Sequence, residues 1–144
     1  MSDFEQRYEQ LKRDYAGRPQ YELTYALLAF HLEWADAVKS SDPGLAIQQY
    51  RLAEDQQSTI GTYATGSGEG LASMAELYEI MGKRADLIER LADAARDPAA
   101  ALRQLNEALA VWTEIQSDPN GMGDNTPAAD RTRQLKAKLA KRKP

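Results

Sequence analysis

The sequence predicts an all-α protein of six or seven helices that form two related helical hairpins, and three observations support this prediction. Large apolar residues recur at intervals of three and four along most of the 144 residues, which is the period of an amphipathic helix. No stretch of four or more residues shows a convincing alternation of apolar and polar residues, which is the pattern typical of a strand. An Asp-Pro pair in similar surroundings occurs twice, at Asp42-Pro43 and Asp97-Pro98, which indicates a duplicated hairpin.

Two amphipathic helices are predicted in the N-terminal part of the chain. The first covers residues 3–16 and ends at Gly17 and Pro19, because glycine and proline stop helices. Its apolar stripe is formed by Phe4, Tyr8, Leu11 and Tyr15. The second covers residues 20–39, with a stripe formed by Leu23, Leu27, Phe30 and Trp34. We expect the first stripe to pack on the domain, and a self-association helix, hence a homodimer, is the alternative.

The Asp-Pro pairs predict the starts of two further helices. Aspartate is a good N-cap and proline suits the first helical position, so helices are expected to begin at Pro43 and Pro98. The first is expected to run to about Tyr63 and the second to about Ile115. Residues 117–127 are rich in turn-forming residues and are predicted to be a loop.

Glycines are expected to divide the middle of the chain. Residues 66–70 contain three glycines at alternate positions, and glycine inside a helix costs about 1 kcal/mol relative to alanine. This segment is therefore predicted to connect the hairpins at 20–64 and 71–116. A helix resumes at Leu71 and is expected to end at Gly82-Lys83, before another helix that carries Leu87, Ile88 and Leu91.

The stretch that begins at Leu71 has the residue types and spacing of a known helical repeat. The matching positions are Leu71, Met74, Ala75, Tyr78, Gly82, Leu87, Leu91, Ala94 and Pro98. In this pattern the stretch resembles a tetratricopeptide repeat, which implies a protein-binding adaptor with a concave groove. The two Asp-Pro motifs lie 55 residues apart, whereas that repeat has about 34 residues. A helical bundle built from two related hairpins therefore stays open as the alternative architecture.

The inventory of reactive side chains favours a protein without catalytic activity. The chain has no cysteine and a single histidine, His31, which excludes thiolate sites, paired histidine ligands and a His-Glu-x-x-His helix. We therefore predict no catalytic residue, no metal site and no cofactor. His31 is expected at the edge of the core or at the surface. A small-molecule-binding or enzymatic bundle, with a pocket near His31, Trp34 and the glycine segment, is an alternative.

Charge divides the chain into an acidic body and a basic end. Residues 130–144 hold seven Lys/Arg and one acid, a balance of +6, which leaves −10 on residues 1–129. We predict a helical domain at 1–128 and a basic C-terminal tail at 129–144, partly helical or disordered. The tail is expected to aid solubility, to bind nucleic acid or to fold back on the acidic body. Acids such as Asp86, Glu89 and Asp93 are expected on a solvated helix face.

These observations predict a protein–protein interaction module that takes up a segment of an unknown partner protein in a helical groove. The acidic surface would guide a basic partner. The candidate partner-binding residues are aromatic or adjoin the aromatic stripe, and they are Tyr21, Tyr25, His31, Trp34, Tyr50 and Tyr78. Tyr21 and Tyr25 lie off the apolar stripe and are expected to be exposed. The N-terminus has no secretory signal and no segment reaches membrane-spanning length, so a cytoplasmic location without a membrane partner is predicted.

Overall fold

A computed structural model describes residues 2–63, 68–118 and 126–142. Within these ranges it contains helices and no strand, which confirms the predicted all-α class and a count of six. In chain order the helices are α1 (Asp3–Asp14), α2 (Gln20–Val38), α3 (Pro43–Tyr63), α4 (Gly68–Ala94), α5 (Pro98–Gln116) and α6 (Thr126–Arg142). None of the described helices is both long and apolar enough to cross a bilayer.

The helix starts follow from local hydrogen bonds that the sequence encodes. At α1 the Ser2 hydroxyl accepts a hydrogen bond from the Glu5 N–H at 3.1 Å, and the Glu5 carboxylate accepts one from the Ser2 N–H at 3.4 Å. At α3 the Asp42 carboxylate accepts from the Leu45 N–H at 3.1 Å. At α5 the Asp97 carboxylate accepts from the Ala99 N–H at 3.2 Å. The prediction that both Asp-Pro pairs start helices is therefore confirmed.

The chain divides into two units, residues 1–73 and residues 74–144, here called unit 1 and unit 2. In unit 1, α2 and α3 form a helical hairpin, and α1 packs on α2. The buried residues of this hairpin include Phe30, Trp34, Ala35, Ala46, Tyr50, Ala53 and Ile60. Phe4 of α1 stacks on Trp34 with ring centroids 5.5 Å apart, and Tyr8 stacks on Phe30 at 5.9 Å. The prediction that the first stripe packs on its own domain is confirmed by these contacts.

Unit 2 has its own core between α4, α5 and α6. Its buried cluster comprises Met81, Ala85, Val111, Ile115 and Ala128, with Leu77, Tyr78 and Trp112 packed against it. The last helix continues the burial through Leu135 and Leu139, which are 1% and 8% exposed. The boundary that the sequence predicts between residues 128 and 129 lies inside α6, which runs to Arg142 as one helix.

Helix α4 corrects two expectations about glycine. It is continuous over 27 residues, so the prediction that a helix ends at Gly82-Lys83 is wrong. Gly82 is needed for packing: a Cβ atom there would lie 2.9 Å from Cη2 of Trp112. The expected glycine connector is wrong for Gly68 and Gly70, which lie in the first turn of α4. Its first two residues, Gly66 and Ser67, lie outside the described ranges, as do residues 119–125 of the predicted loop.

Candidate functional site

Three tyrosines and one glutamine line an open groove of about 580 Å³ in unit 1, at the start of α2 and the end of α3. Tyr21 and Tyr25 are 52% and 54% exposed, and Tyr63 is 51% exposed. Gln20 completes the described lining. We call these four residues the tyrosine groove. Large, mostly apolar side chains that are half exposed to solvent and line one groove are typical of binding surfaces.

The local helix geometry explains why Tyr21 and Tyr25 share this face. They are four residues apart and thus neighbours on one side of α2. The helix turns Thr24 inward, where it is 2% exposed and its hydroxyl donates to the Gln20 carbonyl at 3.1 Å. The expectation that Tyr21 and Tyr25 are exposed is confirmed. That they contact a partner remains a prediction.

Sequence reasoning did not assign Tyr63 or Gln20 to the binding site. The signal that could have found Tyr63 is the turn between α2 and α3, because residues equally far from a hairpin turn lie opposite each other. One contact shows this pairing: His31 Nδ1 lies 2.7 Å from Oε1 of Gln49, and the two residues are about equally far from Val38 and Pro43, the ends of the turn. Continuing that register away from the turn brings the end of α3 beside the start of α2.

Three of the predicted partner-binding residues are buried in unit 1. His31, Trp34 and Tyr50 are 3%, 9% and 2% exposed, and each packs within the helices described above. Burial gives them a structural role, so a contact surface has to rest on the exposed tyrosines. For these three residues, partner binding stays a prediction.

The environment of His31 favours a neutral imidazole. Its Nδ1 lies 2.7 Å from Oε1 of Gln49, and because an amide oxygen only accepts, Nδ1–H is the donor. Burial lowers the pKa of His31 below its usual value of 6.5, and the Gln49 hydrogen bond only partly opposes this. The rings of Phe30 and Tyr8 lie 5.6 and 5.8 Å from the imidazole. In the described parts of the chain, no group of three or more His, Asp or Glu residues could hold a metal ion.

Tyr78 belongs to unit 2, whereas the other predicted site residues belong to unit 1. It packs against the core cluster of that unit. Burial raises the pKa of its hydroxyl, and the charge of Asp118 and a hydrogen bond to that carboxylate raise it further. Tyr78 is therefore a half-buried, protonated donor.

The basic residues of α6 pair with acids of α4. Arg131 Nη2 lies 2.7 Å from Asp86 Oδ1 and 2.6 Å from Glu89 Oε1. Lys138 Nζ lies 2.7 Å from Glu89 Oε2 and 2.9 Å from Asp93 Oδ1. The expected solvated face holds for Asp86 and Asp93, whose side chains are about half exposed, but not for Glu89, which is 16% exposed. We call these five side chains the α4–α6 ion-pair cluster, and it is the fold-back in cis that the sequence left open.

No family model matches the chain, and no curated protein or solved structure is similar to it at a significant level. The resemblance to a tetratricopeptide repeat therefore stays a prediction.

Proposed function

We propose that this chain is a non-catalytic cytoplasmic adaptor. It binds a segment of a partner protein in the tyrosine groove. The observation that carries the proposal is the grouping of three half-exposed tyrosines, Tyr21, Tyr25 and Tyr63, around one open concavity. Tyrosine brings a large contact area at low cost in side-chain entropy, and its hydroxyl adds a hydrogen bond.

The groove stands on helices that are fixed by packing, which lowers the cost of binding. On the α3 side, Ile60 is 6% exposed and Gln57 is 2% exposed. The Gln57 amide donates to the Ser73 hydroxyl at 2.7 Å, which ties α3 to the start of α4 within unit 1. The α3 side of the groove is therefore held by contacts within unit 1 before a partner segment binds.

Selection from a displayed library of random peptides on the full-length protein tests this function. We expect enriched peptides whose affinity falls when the groove is truncated by Tyr21→Ala, Tyr25→Ala and Tyr63→Ala. Truncation of a central interface tyrosine costs about 1–2 kcal/mol, or roughly tenfold in Kd. Fluorescence anisotropy of each labelled peptide would measure the change.

Two exposed leucines outside the groove provide matched controls. Leu52 and Leu102 are 40% and 39% exposed, and neither lines the groove. Leu52→Ala and Leu102→Ala should leave peptide affinity unchanged. If no peptide is enriched, or if the tyrosine and leucine variants weaken binding equally, the proposal is wrong.

Nucleic-acid binding through the basic tail has less support than protein binding. Within residues 126–142, Arg131, Arg133 and Lys138 are already paired with acids of the same chain. An interaction with phosphates would have to compete with these pairs. Salt-sensitive binding to random DNA that is lost in Lys136→Gln/Lys141→Gln would favour this alternative.

A further inference from the structure

We infer that the segment bound in the tyrosine groove is basic, and that its arginine side chains lie over the rings of Tyr21, Tyr25 and Tyr63. This inference rests on the proposed function and adds the chemistry of the partner. It draws on the cations that cover other aromatic rings of unit 1 and on the charge balance of the two units.

The aromatic residues of α1 and its C-cap show how this protein covers half-exposed rings. Arg7 lies over the ring of Phe4 at 5.0 Å, Lys12 lies over Tyr8 at 4.6 Å, and Arg18 lies over Tyr15 at 5.0 Å. Each cation is within the distance of about 6 Å at which the ring quadrupole attracts it. Three half-buried aromatic rings in succession therefore each have a cation from the same chain.

The rings of the tyrosine groove are more exposed and lack such a cover. Among residues 2–63, 68–118 and 126–142, no Lys or Arg is placed over Tyr21, Tyr25 or Tyr63. The groove thus offers uncovered ring faces, which are a favourable site for a guanidinium group.

The charge balance of the chain concentrates the acidity on the unit that contains the groove. Residues 1–73 carry eleven Asp/Glu and six Lys/Arg, a balance of −5, whereas residues 74–144 carry eleven and twelve, a balance of +1. The field of unit 1 therefore attracts a basic segment and repels an acidic one. Arginine fits better than lysine, because its planar guanidinium stacks on aromatic faces and is weakly hydrated.

A pair of synthetic peptides separates charge from shape. One peptide alternates arginine and glycine, and the other replaces each arginine by citrulline, which keeps the length and planarity of the side chain but removes its charge. Fluorescence anisotropy with the full-length protein would give both affinities. We expect the arginine peptide to bind at least about tenfold more tightly than the citrulline peptide.

Substitutions of Tyr25 separate ring stacking from general attraction to an acidic protein. Tyr25→Phe keeps the ring and should bind the arginine peptide nearly as well as the wild type. Tyr25→Leu keeps an apolar side chain without a ring, and should weaken binding about two- to fivefold. Leu52→Ala is the control, and thermal unfolding followed by circular dichroism should show all variants folded.

Several outcomes would overturn the inference. These are equal binding of the two peptides, no binding of the arginine peptide, or an equal response of Tyr25→Phe and Tyr25→Leu. Groove-dependent peptides from the display selection that lack arginine and lysine would also overturn it, while leaving the proposed function in place. Failure of that selection to yield any groove-dependent peptide would instead remove the proposed function itself.

Discussion

At the scale of single residues, Gly82 shows that the ring of a distant tryptophan can decide which residue a helix accepts. Gly82→Ala should gain about 1 kcal/mol of helix propensity but lose about 1–3 kcal/mol through overpacking, because the added Cβ would lie 2.9 Å from Trp112. We expect a net loss of stability, measured as a lower urea midpoint. Gly61→Ala is the matched control, since its Cβ would lie 3.5 Å from the Ser73 hydroxyl, in ordinary contact. A midpoint raised in both variants would contradict the packing argument.

His31 should make the stability of the protein depend on pH in one direction. Burial lowers the pKa of His31 in the folded protein below 6.5, its value in the unfolded chain. At pH values between the folded-state pKa and the unfolded-state pKa, the unfolded chain therefore binds more protons than the folded protein. Above pH 6.5, His31 therefore does not reduce the free energy of unfolding. As the pH is lowered below 6.5, His31 lowers the free energy of unfolding by at most about 1.4 kcal/mol per pH unit. Urea unfolding at a series of pH values between roughly 7.5 and 5.5 measures the slope.

The control for this prediction is His31→Gln, which removes the titrating group and keeps a polar side chain near Gln49. Over the same pH range its stability should change less than that of the wild type. Equal slopes in the two proteins would show that other groups cause the pH dependence.

At the scale of elements, one acid of α4 is shared by two cations of the basic helix α6. Glu89 accepts from both Arg131 and Lys138, and its side chain is 16% exposed, against 47% for Asp86 and 48% for Asp93. Burial lowers the pKa of Lys138, but the hydrogen bonds that its ammonium donates to Asp93 and Glu89 outweigh this and raise the pKa overall. Lys138 therefore stays protonated at neutral pH.

Removing the shared charge should weaken α6 more than removing a peripheral one. Glu89→Gln should lower the free energy of unfolding by about 1–2 kcal/mol, because two charge-assisted hydrogen bonds lose their acceptor charge. Asp93→Asn should cost about 0.5 kcal/mol, as an exposed pair does. Urea unfolding gives both values, and amide hydrogen exchange shows whether the loss is confined to α6. Equal effects of the two substitutions would contradict the special role of Glu89.

The elements also show which features could be predicted from sequence. The starts of α3 and α5 could be predicted because Asp42 and Asp97 cap helices that begin at the next residue. The continuity of α4 could not be predicted, because a glycine such as Gly82 indicates a helix end. The reason for the glycine is its contact with Trp112, which lies thirty positions later in the chain. The role of the basic end was left open because ion pairs such as Arg131 to Asp86 join residues 45 positions apart.

At the scale of the whole molecule, the candidate site was predicted only in part. Periodicity placed Tyr21 and Tyr25 off the apolar stripe, and both are exposed. It could not group them with Tyr63, since that neighbour depends on the register of the α2–α3 hairpin. It also did not separate Tyr50, which is buried and bonded to Asp36, from the tyrosines that remain in contact with water.

The two tryptophans give each unit its own fluorescent reporter. Trp34 is stacked on Phe4 in unit 1, and Trp112 lies against Gly82 in unit 2, with the Arg131 guanidinium 5.9 Å from its ring. Emission from an indole shifts when its surroundings change from protein to water. The variants Trp34→Phe and Trp112→Phe would thus leave a single emitter in a known unit, so that denaturation curves could be assigned to residues 1–73 or 74–144 without an added label.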